Sequence, residues 1–285
     1  MNNISNIMKV SFITNFLLSI FKVIGGILGK SNALIADGIH SFSDLFTDVV
    51  AIFGSGFSNK PADLKHPYGH GKLEYLTSIL IGVIVIIIGL TLIGNVSKSE
   101  IIIPSFLVII VSLITIISKY ILSNYLIQKG KLYKNNILIA SGKESKADVI
   151  SSVVVLISSI LIQFSDYIVL FKYTDKIASI IVGLFIIRTG FNIVKENSSV
   201  IIGEQETDLE EIESIKKIIL NSKLILKIDD LVLLKFGYCY KITADVCMDG
   251  NLSLKEAHDE VDKIEKIIKM SDNRAKYITI HINPI

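Results

Sequence analysis

The chain has 285 residues, 51% of them hydrophobic, and a formal net charge of +2, with a mean hydropathy of +0.58. Burying that much apolar surface in a water-soluble core would be unusual, so the composition argues against a soluble globular protein and for a membrane protein. The small net charge says nothing for nucleic acid, and none is expected as a partner.

Six apolar runs, at 10–29, 32–54, 76–94, 101–122, 147–164 and 177–194, predict six transmembrane helices. Each is near the roughly 20 residues that cross about 30 Å of hydrocarbon. The fifth is expected to start before its apolar core, near Asn136. No removable signal peptide is expected, because no short apolar segment behind a basic start ends in a small-residue cleavage site. Loops 57–76 and 128–136 carry Lys60, Lys65, Lys72, Lys129, Lys131 and Lys134. The opposite connections carry Lys30, Lys98, Lys172 and Lys176, partly offset by Glu100, Asp166 and Asp175. This asymmetry places both termini in the cytoplasm of a multi-pass protein of the cytoplasmic membrane. Gly25 and Gly29 on the first span, and Gly82, Gly89 and Gly94 on the third, would permit close helix approach, but glycine is common in spans and no role is assigned to them.

The second run, "IADGIHSFSDLFTDVVAIFG" at 35–54, is the exception among apolar neighbours. Its Asp37, His40, Asp44 and Asp48 are spaced by three, four and four residues, which forms one column along a helix. A carboxylate in hydrocarbon costs on the order of 3 kcal/mol, so ionisable residues within spans read as functional by default. Taken singly, Asp37 and Asp48 read equally well as hydrogen-bond caps. The fifth span opens with Glu144 and Asp148, one turn apart, followed by Ser151 and Ser152. Two facing helices, one giving His40 and Asp44 and the other Glu144 and Asp148, could enclose a four-coordinate divalent cation. A bound cation, or protons, would offset the buried charge. Against this, Glu144 can also be read as a wet helix end beside Lys143 and Lys146.

Between the second and third spans, "KPADLKHPYGHGKLEYL" sets Asp63 three residues before His66, with His70 one short turn further. After about residue 200 the composition becomes charged and no run could cross a bilayer, so a transmembrane domain at 1–200 and a cytoplasmic domain at 201–285 are expected. Capping boxes at Thr207–Glu210 and Ser253–Glu256 predict helices over 208–221 and 254–269. The second helix has a buried stripe of Leu254, Ala257, Val261, Ile264 and Ile268. "DDLVLLKFG", "YCYKITADVCM" and "KYITIHINP" read as strands. Alternation points Tyr240, Ile242, Ala244, Val246 and Met248 one way and Lys241, Thr243, Asp245 and Cys247 the other; in the last strand His281 opposes Ile278, Ile280 and Ile282. The order αββαβ describes a small open sheet backed by two helices. Cys239 and Cys247 form no CxxC and are expected to be free thiols in a reducing compartment. With His258 on the second soluble helix and His281 on the last strand, all five histidines lie in acidic or metal-like contexts.

The segments "LIADGIHSFSD", "KHPYGHGKLEYL", "ESKADVISS" and "LSLKEAHDEVDKIE…ITIHINP", in that order over nearly the whole chain, resemble the cation diffusion facilitator family of divalent metal exporters. The resemblance implies an α-helical membrane domain of six transmembrane helices with a metallochaperone-like α+β cytoplasmic domain. It further implies a homodimer, and metal export driven by inward proton flow. It matches a transport site to His40, Asp44, Glu144 and Asp148, a loop site to Asp63, His66 and His70, and a cytoplasmic-domain site to Asp245, His258 and His281. Two departures stand out. Glu144 occupies a position where zinc-type members have His and others Asp, and Asn283 replaces a carboxylate often found two residues after the strand histidine.

One imidazole and three carboxylates suit several ions, with Zn²⁺ taken first and Mn²⁺, Fe²⁺ and Co²⁺ as alternatives, each a substrate and a candidate structural or regulatory ligand. Because metal binding needs deprotonated ligands, proton binding would expel the metal, with His40 the expected proton carrier near neutral pH. Two other readings compete: an intramembrane metallohydrolase, for which there is no HExxH and no open coordination position, and a transport-inactive metal sensor.

Overall fold

The computed structural model describes residues 2–58, 62–98, 100–133, 136–236 and 239–285, and the side chains within them except those of 2–5, 46–58, 97, 136, 137 and 140. Six long helices come first: α1 Asn2–Gly29, α2 Asn32–Ser58, α3 Leu73–Lys98, α4 Leu107–Leu132, α5 Asn136–Leu161 and α6 Thr174–Ile202. Among the described residues five helices are long and apolar enough to cross a bilayer. The remaining long helix, α2, has the length to span but carries Asp37, Asp44 and Asp48. The fourth span starts later than its apolar run, at Leu107 rather than 101. Pro104 explains the shift, because proline pushes the residue before it out of the helical region and lacks the N–H a helix interior needs. α5 begins at Asn136, as its polar aqueous end predicts.

Contacts divide the chain into two compact units, one of residues 1–49 and 81–192, the other of 50–80 and 193–285. In the first, Ala33, Leu34 and Ala36 of α2 pack with Val85 of α3, Val108 and Val111 of α4, Val155 of α5 and Val182 and Ile186 of α6. The sharp break between α1 and α2 is fixed from a distance in sequence. Asp175, in the first turn of α6, accepts the Ser31 hydroxyl at 2.6 Å and the Asn32 amide at 3.0 Å. It thereby caps the exposed amides at the start of α2 with a negative charge, where the helix dipole favours one.

The second unit contains α7 Leu209–Leu220, β1 Ile225–Phe236, β2 Cys239–Met248, α8 Leu254–Ser271 and β3 Ala275–Pro284. β1 pairs antiparallel with β2 and β2 parallel with β3, in the order β1-β2-β3. This is the expected αββαβ order. Ile242, Ala244, Val246 and Met248 face the helices, packing with Ile215 and Ile219 of α7 and with Ala257, Val261, Ile264 and Ile268 of α8. The Ser253–Glu256 capping box forms as predicted. The one at Thr207–Glu210 does not: Asp208 is the cap, accepting the Glu210 amide at 2.9 Å. Thr207 yields because Asp caps at least as well and sits one residue nearer.

α6 approaches α3 at Gly190, where a Cβ would lie 2.7 Å from the backbone oxygen of Gly82. No side chain can yield there, since the obstacle is helix backbone. At Gly94 on α3 a Cβ would meet nothing within 4 Å. Gly190→Val is therefore expected to destabilise the bundle by about 1–3 kcal/mol through overpacking, and Gly94→Val to be near neutral. Thermal unfolding of the two variants in detergent checks the difference.

Candidate metal centre

α2 delivers His40 and Asp44 one turn apart, and α5 delivers Asp148 opposite them. One ligand atom from each of the three lies within 4.8 Å of the others, a spacing at which a single ion could be shared. His40 is 8% exposed and Asp148 6%. The His40 Nδ1 stands 3.8 Å from an Asp44 oxygen, too far for a hydrogen bond, and this buried nitrogen has no hydrogen-bond partner among the described residues. A buried polar atom left in this way is costly unless something else satisfies it. Asp44, Glu144 and Asp148 line a common cavity with Ser41, Ser145 and Lys119. Its volume, about 20 Å³, suits one water or one bare ion, since a cavity needs roughly 10–15 Å³ to hold a water. Glu144, the fourth sequence-predicted ligand, is exposed and lies outside the three-residue cluster while lining the same cavity. It stands one turn nearer the polar end of α5 than Asp148.

Asp37 shares the helical column but not the site. Its two oxygens accept the hydroxyls of Ser151 and Ser152 of α5, each at 2.7 Å, and the ammonium of Lys22 of α1 at 2.8 Å. Lys22 donates onward to Ser41 at 3.0 Å and Ser152 at 2.9 Å. All three ammonium donors are used and both oxygens are occupied, so the pair is electrically closed. Lys22 and Asp37 are each 0% exposed, and together they tie α1, α2 and α5 into one block behind the metal cluster. The side chain of Asp48 lies outside the described residues.

A second buried lysine belongs to the site itself. Lys119 of α4, 2% exposed, donates a hydrogen bond from Nζ to Asp148 Oδ2. Sequence reasoning missed both lysines. The available signal was a lone Lys within each of two otherwise apolar runs, which carries the same penalty as the aspartates that were noticed.

The loop residues also converge. Asp63 Oδ1 lies 3.1 Å from His66 Nδ1 and its Oδ2 lies 3.5 Å from His70 Nε2, with the two imidazole rings 4.4 Å apart. Asp63 also accepts the backbone amides of Lys65 at 2.9 Å and His66 at 2.7 Å. Those amide bonds, the His66 amide first, hold its carboxyl below the usual carboxylate range. Gly69, at φ 75°, turns the chain back, a conformation that costs any other residue. These three are the second group with metal-ligand spacing among the described residues. Within the same unit, Tyr68 of this loop packs its ring 5.9 Å from Phe236 and 5.2 Å from Tyr277.

The third expected set does not assemble within one chain. Asp245 and His281 are register partners on β2 and β3, on the sheet face away from the helices. His258 is exposed on α8, which covers the other face, and its Nε2 lies 3.9 Å from Asp262. His258, Asp245 and His281 do not form a group with metal-ligand spacing among the described residues. Both cysteines are free. Burial pushes the Cys239 thiol up to about 11, which keeps it protonated and a poor ligand.

A bundle of helices long and apolar enough to span a membrane, with a buried imidazole–carboxylate cluster and a small α+β domain, fits a membrane metal carrier. Comparison with known proteins bears on this directly. The family model for the cation efflux transmembrane domain matches residues 8–202, and that for the cation efflux protein cytoplasmic domain matches residues 207–285. The chain belongs to the cation efflux family, the cation diffusion facilitators, which are transporters and not enzymes. It is 29% identical to the manganese efflux system protein MneP of Bacillus subtilis over 283 residues, covering 96% of this chain and 94% of that one. It is 31% identical to an uncharacterized transporter of Methanocaldococcus jannaschii, covering 99% of each. A second Bacillus subtilis protein, the manganese efflux system protein MneS, is 26% identical over 97% of this chain and 94% of its own.

Removing one member of the closed pair leaves a buried charge alone. Lys22→Met is expected to destabilise the membrane unit by about 3–5 kcal/mol, and the double variant Lys22→Met/Asp37→Asn to recover much of the loss. Thermal unfolding of the two single variants and the double variant forms the cycle that checks this.

Proposed function

We propose that the chain exports a divalent transition-metal ion from the cytoplasm in exchange for protons, with Mn²⁺ as the principal substrate. The observation that carries this reading is the convergence of His40, Asp44 and Asp148 around a buried nitrogen that lacks a hydrogen-bond partner, beside a cavity of single-ion size. Glu144, on the rim of that cavity, would complete a set of one imidazole and three carboxylates. Oxygen-rich donors without sulfur suit Mn²⁺ and Fe²⁺ better than the softer ions. Zn²⁺, first on sequence grounds, moves behind Mn²⁺ on the donor set and on two relatives named for manganese efflux, and Fe²⁺ and Co²⁺ remain competitors.

Protons and metal compete for the same lone pairs, so one site exchanges the two without further coupling machinery. Alternating exposure of a site held between helices would complete the cycle. The transport unit is assigned to residues 1–200, in the cytoplasmic membrane with both termini in the cytoplasm. Residues 201–285 form the cytoplasmic domain through which two copies associate. Asp63, His66 and His70 form a second binding site, facing the cytoplasm. Asp245 and His281 supply two donors of a cytoplasmic-domain site to which His258 of the same chain does not contribute.

Purified protein in liposomes with an imposed pH gradient tests the proposal. Mn²⁺ flux should follow the proton gradient and collapse when the gradient is dissipated. Asp44→Ala and Asp148→Ala should each lower the flux by at least about tenfold, as loss of a ligand should cost no less than loss of a supporting residue. Binding without flux in the parent would make the protein a sensor, and undiminished flux in both variants would place the site elsewhere.

A further inference from the structure

The two buried lysines of the membrane unit differ in one respect. Lys22 is saturated by Asp37, Ser41 and Ser152 and its partner is not a member of the metal cluster. The partner of Lys119 is Asp148, which is. Residues 107–132 form α4, so Lys119 stands near its middle, with about 18 Å of helix to either end. Its side chain is too short to carry the ammonium to an interface, and Asp148 is the acceptor it finds.

We propose that Lys119 is the stand-in cation of the transport site: its ammonium holds Asp148 while the site is without a divalent ion, and the ion enters by displacing it. This rests on reading His40, Asp44 and Asp148 as the transport site. It assigns a residue that sets affinity and charge without ligating the metal.

Three lines of reasoning support it. The Lys119 ammonium occupies lone-pair space and supplies positive charge at Asp148 Oδ2, so a divalent ion arriving at this carboxylate competes with it for the same negative charge. The charges also match. Asp44, Glu144 and Asp148 line the cavity with Lys119, so three carboxylates and one fixed ammonium leave the complement of a divalent ion, while Lys22 and Asp37 cancel each other. Without Lys119 the ion-loaded site would carry one surplus negative charge. Finally, a carrier must release what it binds, and a neighbouring positive charge destabilises the bound ion while stabilising the vacated carboxylate.

The test uses the full chain and Mn²⁺ as probe. Equilibrium Mn²⁺ binding is measured in detergent, with the Asp148→Ala chain subtracted to remove the loop and cytoplasmic sites. Lys119→Met is expected to bind Mn²⁺ on the order of tenfold more tightly, because a unit charge a few ångströms away is removed from a poorly screened setting. Lys119→Arg, which keeps the charge, should stay near the parent. Should the methionine variant not be recovered folded, Lys119→Gln keeps a donor towards Asp148 without the charge and carries the same expectation. In liposomes, Lys119→Met should lower the maximal Mn²⁺ flux together with the half-saturating concentration, and make flux depend on a clamped membrane potential more than in the parent.

A merely structural lysine would give weaker or unchanged binding in the neutral variants, and either result overturns the proposal. So does an arginine variant that behaves like the methionine one. Should Asp148→Ala leave Mn²⁺ binding of the otherwise unaltered chain unchanged, the transport site itself would be lost and this proposal with it.

Discussion

Charges inside hydrocarbon must be matched by charges, and the membrane unit is organised around that constraint. α2 would otherwise be a poor membrane helix, with Asp37 and Asp44 facing the bundle interior. Asp37 is neutralised by Lys22 from α1, Asp148 by Lys119 from α4, and the amides at the start of α2 by Asp175 from α6. α2 is thus held by polar bonds from α1, α5 and α6 and not by apolar packing alone. In a membrane, where lipid competes equally for apolar side chains, such bonds contribute to specifying which helices are neighbours.

Asp37 with its serine partners and the His40–Asp44–Asp148 cluster occupy the same two helices, α2 and α5, at adjacent turns. Ser151 and Ser152 bind Asp37 one turn beyond Asp148 on α5, and Asp37 precedes His40 by one turn on α2. The Lys22–Asp37–serine network therefore fixes the separation of the two helices at the level next to the ligands. A donor set works only if its members are held in position by groups that are themselves held. Here the supporting group is ionic, fully buried and saturated, so it would not compete for an ion bound at His40, Asp44 and Asp148.

Much of this was legible in the sequence, because the two periodicities are strong. Apolar runs near 20 residues located the spans, and alternation in "YCYKITADVCM" and "KYITIHINP" assigned each side chain to the correct face of the sheet. What escaped has specific physical reasons. Pro104 moved the start of α4, an effect a hydropathy window averages away. Asp208 displaced Thr207 as a cap because adjacent residues compete for the same amides. His258 could be placed on a helix, but the sequence does not say that it would fall outside metal-ligand spacing of Asp245 and His281. Glu144 lies at the correct turn of α5, yet its side chain is exposed there, and spacing alone does not report burial. Lys22 and Lys119 were visible as letters, but the meaning of each depends on a carboxylate from another helix.

The difference between those two lysines also bears on how a site can be both stable and emptied. Lys22 has three partners and Asp37 has three donors, so neither can change its state without exposing a buried charge. Asp148 stands differently, facing one ammonium on one side and the His40–Asp44 pair on the other. On the proposed reading it would exchange one cation for another while remaining paired throughout, so the buried carboxylate need never be left bare. A fold that places a saturated ion pair beside one proposed to be exchangeable would separate the two requirements: the first maintains the helix geometry, and the second would let charge pass through it.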